Sequence, residues 1–238
     1  MQNSTRIDEI ASGIYRISTP VPPPTIPGGF TFNQYLISGD APLLYHTGLR
    51  KMFPLIRKAI ESVLPVRSLR YIGFSHFEAD ECGSLNDFLE IAPNAEPLCS
   101  RIAKMVSVDD IAKRPALALD DGEELVLGNH TVRWIDTPHL PHAWECGHLF
   151  ESMTSTLFCG DLFTQGGHQH EPLTSDDILD PSEDMRANLD YFSQTRNVRS
   201  LMDKLADTSP QILACMHGAA WQGDGAEILR RLGRRLAN

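Results

Sequence analysis

The stretch YIGFSHFEADECGSL, residues 71 to 85, runs from apolar side chains into one imidazole and three carboxylates: His76, Glu78, Asp80 and Glu81. Carboxylates this close repel one another unless a cation neutralises them, so the chemistry they suggest is metal ligation. In an extended segment side chains at i, i+2 and i+4 point the same way, which lets His76, Glu78 and Asp80 converge while Phe77 and Ala79 face the core. Glu81 is out of phase. It joins only if the chain turns into a helix there, and it is then aimed at a second point. A purely structural role accounts for half of the set, with Asp80 as a helix N-cap and Glu81 as a first-turn dipole partner. His76 and Glu78 remain for the metal.

The same pattern, a short apolar strand ending in a potential ligand, recurs three times. VRWIDTPHLPHAW leads to His139 and His142, which compete for one place; STLFCGD ends on Asp161 and QILACMH on His217. Strand ends are where a rigid sheet delivers side chains to an open edge. Seven candidate ligands thus gather from four strand ends: His76, Glu78, Asp80, Glu81, His142, Asp161 and His217.

The ordered set resembles the metallo-β-lactamase fold superfamily, whose HxHxDH loop is followed by a His, an Asp and a final His. HFEADE stands at the loop, and Glu78 in place of the second His gives the HxExD form of the flavodiiron and oxygen-binding diiron proteins. The resemblance covers nearly the whole chain and implies a four-layer αβ/βα sandwich of the α/β class, one domain over residues 1–238. It implies a first metal on His76, Glu78, His142 and Asp161. A second would lie on Asp80, residue 81, Asp161 and His217, with Asp161 bridging. His142 is preferred to His139 because PHAWE stands in the family position, which leaves His139 to orient a ligand. The family has His at 81; Glu81 departs from it, and without Glu81 the second site would be weak.

Three imidazoles and four carboxylates make a hard, oxygen-rich set that suits iron or manganese better than four-coordinate zinc. The expected cofactor is a pair of iron ions, with zinc or manganese as alternatives. The expected function is a non-haem diiron protein that binds or reduces dioxygen or nitric oxide. The rivals are a hydrolase using metal-activated water on an ester, thioester or lactone, and an oxygen-binding sensor without turnover. No phosphate-cradling loop suggests that this chain binds flavin, so turnover would need a separate electron-donor protein. A homodimer is implied only by analogy with the flavodiiron proteins.

The elements that must position these residues begin with GIYRIST, FNQYLIS and PLLYHT, the last two joined at Gly39-Asp40 as a hairpin. Residues 52 to 64 carry Phe53, Ile56, Ile60 and Leu64 near helical spacing, before a strand LRYIGF. Cys82 to Glu90 reads as a helix, EPLCS as a strand and Arg101 to Ile111 as a second helix. Residues 116 to 160 read as a β meander and 161 to 182 as a long polar connection. An amphipathic helix from about Ser182, the strand QILACM and a basic-faced helix AEILRRLGRRLA complete the chain.

Among the other histidines, His130 falls in a turn and should be solvated, and His148 in a strand should be structural. His46, His168 and His170 are candidates for the pocket wall. Trp144, Phe163 and Trp221 could shield the open face, although aromatics at such positions are usually core. Cys159 and Cys215 should be core thiols, while Cys82 and Cys146 neighbour the polar clusters. Five widely spaced cysteines without a CxxC pair fit a reducing compartment. A formal charge of -10 argues against nucleic-acid binding. No apolar stretch is long enough for a membrane span, so a cytoplasmic protein is expected.

Overall fold

The computed structural model describes residues 5–237. Its strands form two seven-stranded sheets. Sheet A comprises β1 (Arg6–Ala11), β2 (Ile14–Val21), β3 (Phe30–Ile37), β4 (Leu43–Tyr45), β5 (Tyr71–Gly73), β6 (Glu96–Ser100) and β7 (Leu117–Leu119), paired in that order. Sheet B runs β12 (Leu173–Thr174), β14 (Ala220–Gln222), β13 (Ile212–Cys215), β11 (Thr156–Gly160), β10 (Gly147–Glu151), β9 (Thr131–Asp136) and β8 (Glu124–Val126). Helices α1 (Phe53–Ile60), α2 (Ala79–Cys82) and α3 (Leu85–Ile91) follow strands of sheet A. Arg101–Ala103 (α4), a π turn Lys104–Val108 and Asp109–Ile111 (α5) make one helical run. Sheet B is followed by α6 (Leu179–Leu189), α7 (Val198–Ala206) and α8 (Gly225–Leu236).

Period-two alternation explains why these sheets stack as the middle of four layers. On β3, Phe32 and Leu36 pack with Ile56, Ile60 and Phe88 of the helices, whereas Tyr35 and Ile37 pack against Trp134, Leu149 and Phe158 of sheet B. On β11 and β13, Phe158 and Ala214 face sheet A, while Leu157, Cys159, Leu213 and Cys215 face Met202, Leu205 and Leu229 of the outer helices. Three apolar seams therefore separate four layers, as the αβ/βα expectation requires.

Four elements differ from the sequence reading. β7 does not open a meander but pairs parallel with β6, so only β8 to β11 form the antiparallel run in sheet B. The long connection contains β12, which adds to sheet B through β14. The helix expected from Ser182 begins at Leu179 and stops at Asp190, which takes a left-handed conformation (φ 47°) that ends the helix and frees residues 191–197 as a loop. Cys82 to Glu90 divides between α2 and α3.

β4 and β5 are parallel neighbours in sheet A, and β11 and β13 are parallel neighbours in sheet B. The segments leaving their C-terminal ends carry His46, His76, Asp161 and His217. Gly147 N–H donates to Ser75 O at 2.9 Å, and Asn33 N–H donates to Met216 O at 2.9 Å, so the two sheets are tied together beside those ends.

Candidate metal centre

The loop after β5 bends at Ser75 to Phe77, with the Glu78 N–H on the His76 carbonyl at 3.2 Å; Glu78, the N-cap residue of α2, is extended, and the chain turns helical at Ala79. That early turn corrects the extended-phase reading, in which Phe77 and Ala79 faced the core: both are exposed, Phe77 by 38%. It also brings Glu81 inward. Neither Asp80 nor any other side chain caps α2, so capping does not explain the acidic pair. Phe77 N–H donates to Glu145 Oε1 at 2.9 Å, and Thr47 N–H donates to the Glu81 carbonyl at 2.7 Å, which fixes the loop at both ends.

All seven expected ligands come together. The donor atoms of His76, Glu78, His142 and Asp161 lie within 4.8 Å of one another, and so do those of Glu78, Asp80 and Glu81. His217 Nε2 is 3.2 Å from Asp161 Oδ1 and 3.5 Å from Asp80 Oδ2, while His76 Nε2 is 3.9 Å from Glu81 Oε2. Asp161 stands between the halves, because its Oδ2 is 3.6 Å from His76 Nε2 and 3.4 Å from His142 Nε2. His139 is exposed on the turn, with φ 66° and its N–H on the Ala143 carbonyl, and takes no part.

Each of the three imidazoles is anchored through Nδ1, which leaves Nε2 facing the cluster. His142 donates to the Tyr191 carbonyl at 2.9 Å and His217 to the Thr31 carbonyl at 2.7 Å; Ser75 Oγ lies 2.9 Å from His76 Nδ1. Tyr191, Thr31 and Ser75 were not foreseen from sequence. The first two act through main-chain carbonyls, which leave no mark on residue type, whereas Ser75 sits beside a ligand and offered a signal.

The electrostatics are those of four carboxylates crowded around three imidazoles. Glu81 is fully buried and neither carboxylate oxygen has a hydrogen-bond partner; burial first, then the charges of Asp161 and Asp80, push it well above the usual carboxylate range. The hydrogen bonds from His142 and His76 hold Glu78 down to about 2. Burial works against ionisation of Asp161, but its hydrogen bond with His217 and the fields of His76, His217 and His142 outweigh that and hold it low. Burial likewise opposes charge on His217, yet Asp161 and Asp80 raise it to about 10. Orphaned carboxylate oxygens at 0% exposure are costly unless a cation meets them. The four carboxylates and three imidazoles therefore fit one or two hard divalent ions.

The remaining sequence readings divide. His148 is structural as expected, buried between Thr137 Oγ1 at 2.7 Å and the Cys159 carbonyl at 3.1 Å. His130 is not solvated: it is buried with Nδ1 3.1 Å from Glu151 Oε1, because the turn that carries it folds onto Gly13. His46 lies directly beneath the cluster, bonded to Ser75. His168 packs on Gly29 and His170 bonds the Gly166 carbonyl; neither belongs to either ligand group. Phe163 is core, Trp221 binds the Asp176 carbonyl, and Trp144 is 55% exposed beside His142. The aromatic against the cluster is instead Phe30, stacked on His217 with centroids 4.3 Å apart. Cys159 and Cys215 are core thiols; Cys82 and Cys146 are buried too, bonded to the Glu78 and Leu140 carbonyls.

Stacked sheets flanked by helices, with histidines and carboxylates at the strand ends, define the metallo-β-lactamase class of fold. A family model described as ODP family beta lactamase matches residues 30–218, and the chain belongs to that family. It is similar to putative diflavin flavoprotein A 2 of Synechocystis sp., with 28% identity over 200 residues that cover 82% of this chain and 34% of the relative. Putative diflavin flavoprotein A 1 of Nostoc sp. is 26% identical over 209 residues, covering 85% and 36%. The chain thus spans about a third of the length of these curated relatives. Among solved structures, a metal-soaked flavodiiron core from Synechocystis sp. superposes with TM-score 0.82 at 20% identity, covering 98% of this chain and 61% of that one. The rubredoxin:oxygen oxidoreductase of Desulfovibrio gigas gives 0.81 at 18%, covering 96% and 62%. Among the described residues, no helix is long and apolar enough to cross a membrane.

Proposed function

We propose that this chain is a non-haem diiron protein that binds or reduces dioxygen or nitric oxide. The observation that carries the reading is the convergence of three imidazoles with four carboxylates, one of which, Glu81, is fully buried with neither oxygen partnered. The family and the fold likeness to flavodiiron cores support it. His76, Glu78, His142 and Asp161 would hold one iron, and Asp80, Glu81, Asp161 and His217 the other, with Asp161 shared. Bound ferrous ions supply reducing electrons and open positions for a small diatomic molecule.

The chain's own residues set the conditions for that chemistry. Carbonyls of Tyr191 and Thr31 hold His142 and His217 with Nε2 turned to the cluster, and Phe30 and Phe32 exclude water from the His217 side. Glu78 and His142 form the more open side through which a small ligand would enter; the Glu78 side chain is 52% exposed. Reduction would draw electrons from a separate donor protein.

The test is anaerobic purification with metal analysis, then admission of air while visible absorption is recorded. About two irons per chain and an iron-dependent absorption change are expected from the donor set. Stoichiometric zinc, esterase activity and no colour would sink the proposal.

A further inference from the structure

Two of the three cluster histidines abut a main-chain carbonyl, which can only accept, so Nδ1 of each carries a proton whatever Nε2 does. His76 differs. Its Nδ1 lies 2.9 Å from the Ser75 hydroxyl, a group that can donate or accept, and this pair alone leaves the tautomer open.

The next residue inward closes the question. His46 is delivered by the end of β4, its N–H bonded to the Gly73 carbonyl at the end of β5, and its ring is buried against Tyr45. The Ser75 backbone N–H points at His46 Nε2 at 3.4 Å, and the Ser75 hydroxyl lies 3.1 Å from the same nitrogen. A backbone amide can only donate, so Nε2 carries the lone pair and the His46 proton is on Nδ1; that nitrogen is buried without a hydrogen-bond partner, so the Ser75 contacts alone set this tautomer. An acceptor nitrogen at 3.1 Å demands that the hydroxyl donate to it, since two lone pairs at that distance would repel. The hydroxyl's own lone pair is then left to accept the proton on His76 Nδ1. Gly160, at φ 49°, leaves the room: a Cβ there would lie 3.0 Å from the Ser75 hydroxyl.

We propose that Ser75 and His46 are positioning residues that hold a proton on His76 Nδ1, so that Nε2, which donates to Glu78 in the metal-free fold, is the nitrogen that gives up its proton to ligate the metal. The inference rests on the metal-centre reading, but not on the identity of the metal or on dioxygen. Of the three imidazoles, His76 is the one whose Nδ1 anchor is a side chain and is therefore open to mutation.

The experiment uses the whole chain loaded with zinc(II), a diamagnetic probe, and compares the wild type with Ser75→Ala, His46→Leu and His46→Gln. Chelator competition gives zinc affinity; nitrogen-15 NMR of the histidine rings gives the protonation of His76 and the solvent exchange of its ring N–H. Ser75→Ala and His46→Leu should each weaken zinc about 10–100-fold and speed exchange of that proton, as loss of a ligand's supporting partner does. His46→Gln, whose amide oxygen can reach the place of Nε2, should restore both. Wild-type affinity and slow exchange in Ser75→Ala and His46→Leu would overturn the inference while leaving the metal centre intact. Equal losses in His46→Leu and His46→Gln would also overturn it, because packing would then be the cause. A wild-type chain that takes up no metal would overturn the metal-centre reading itself, and the inference with it.

Discussion

The two halves of the cluster share Asp161 but are built unlike each other. His76, Glu78 and His142 offer two imidazoles and one carboxylate on the solvent side, where Glu78 is half-exposed and His142 partly so. Asp80, Glu81 and His217 offer one imidazole and two carboxylates, and Glu81 is fully buried with both oxygens unpartnered. The open half can neutralise itself by hydrogen bonds between His142, His76 and Glu78. The buried half pairs His217 with Asp161 and Asp80, but leaves both oxygens of Glu81 without a hydrogen-bond partner. The contrast teaches that exposure, more than ligand count, decides where a cation is needed.

The sharpest break of that comparison is at the shared residue. Asp161→Asn removes charge from both halves, and both ions should be lost; metal analysis of the purified variant checks it. Retention of one ion at full occupancy would show that Asp161 serves only one half. A step smaller, His142→Ala and His217→Ala should each cost one ion and leave the other half loaded. Elemental analysis combined with anomalous diffraction would show which position empties, and loss of both ions in each variant would deny that the halves are separable.

Glu81→Met turns the comparison into opposite signs. The oxygen-rich half should lose its ion, while the metal-free fold should gain stability, because a buried carboxyl without partners gives way to an apolar side chain of similar length. A gain of about 1 kcal/mol would raise the thermal midpoint of the chelated chain by about 2–4 °C. A lower midpoint would mean that Glu81 is satisfied in the metal-free fold.

Much of this site could be read before the structure. Ligands at the ends of apolar strands were visible because a strand's apolar run and the change to a polar residue are both local. His76, His142, Asp161 and His217 follow that rule; Glu78 and Asp80 are picked out by an extended phase that the loop does not keep, since Asp80 lies in α2. Glu81 required knowing where α2 begins, a one-residue matter that periodicity does not resolve. β7 looked like the start of the meander because strand partners depend on contacts distant in sequence: its partner is β6, across the helical run of residues 101–111. His130 illustrates the same limit, since its burial depends on Gly13 and Glu151, far away in the chain. Tyr191 lay hidden because a single helix seemed to run through it, and Asp190 ends that helix by a left-handed turn.

A separate effect concerns a histidine in neither half. His148 accepts from Thr137 Oγ1 and donates to the Cys159 carbonyl, and burial lowers it to about 4, whereas His142 and His217 are raised by the carboxylates around them. Between about 4 and the unfolded value near 6.5, the unfolded chain binds a proton at this position that the folded chain refuses. The unfolded state thus holds more protons, stability rises with pH across that window, and acidification from about 6.5 towards 4 should weaken the metal-free fold. Denaturant unfolding of the chelated chain at a series of pH values would show a shallower slope in His148→Gln than in the wild type. An unchanged slope would assign the acid sensitivity to other groups, such as buried His46, which is lowered further still to about 3.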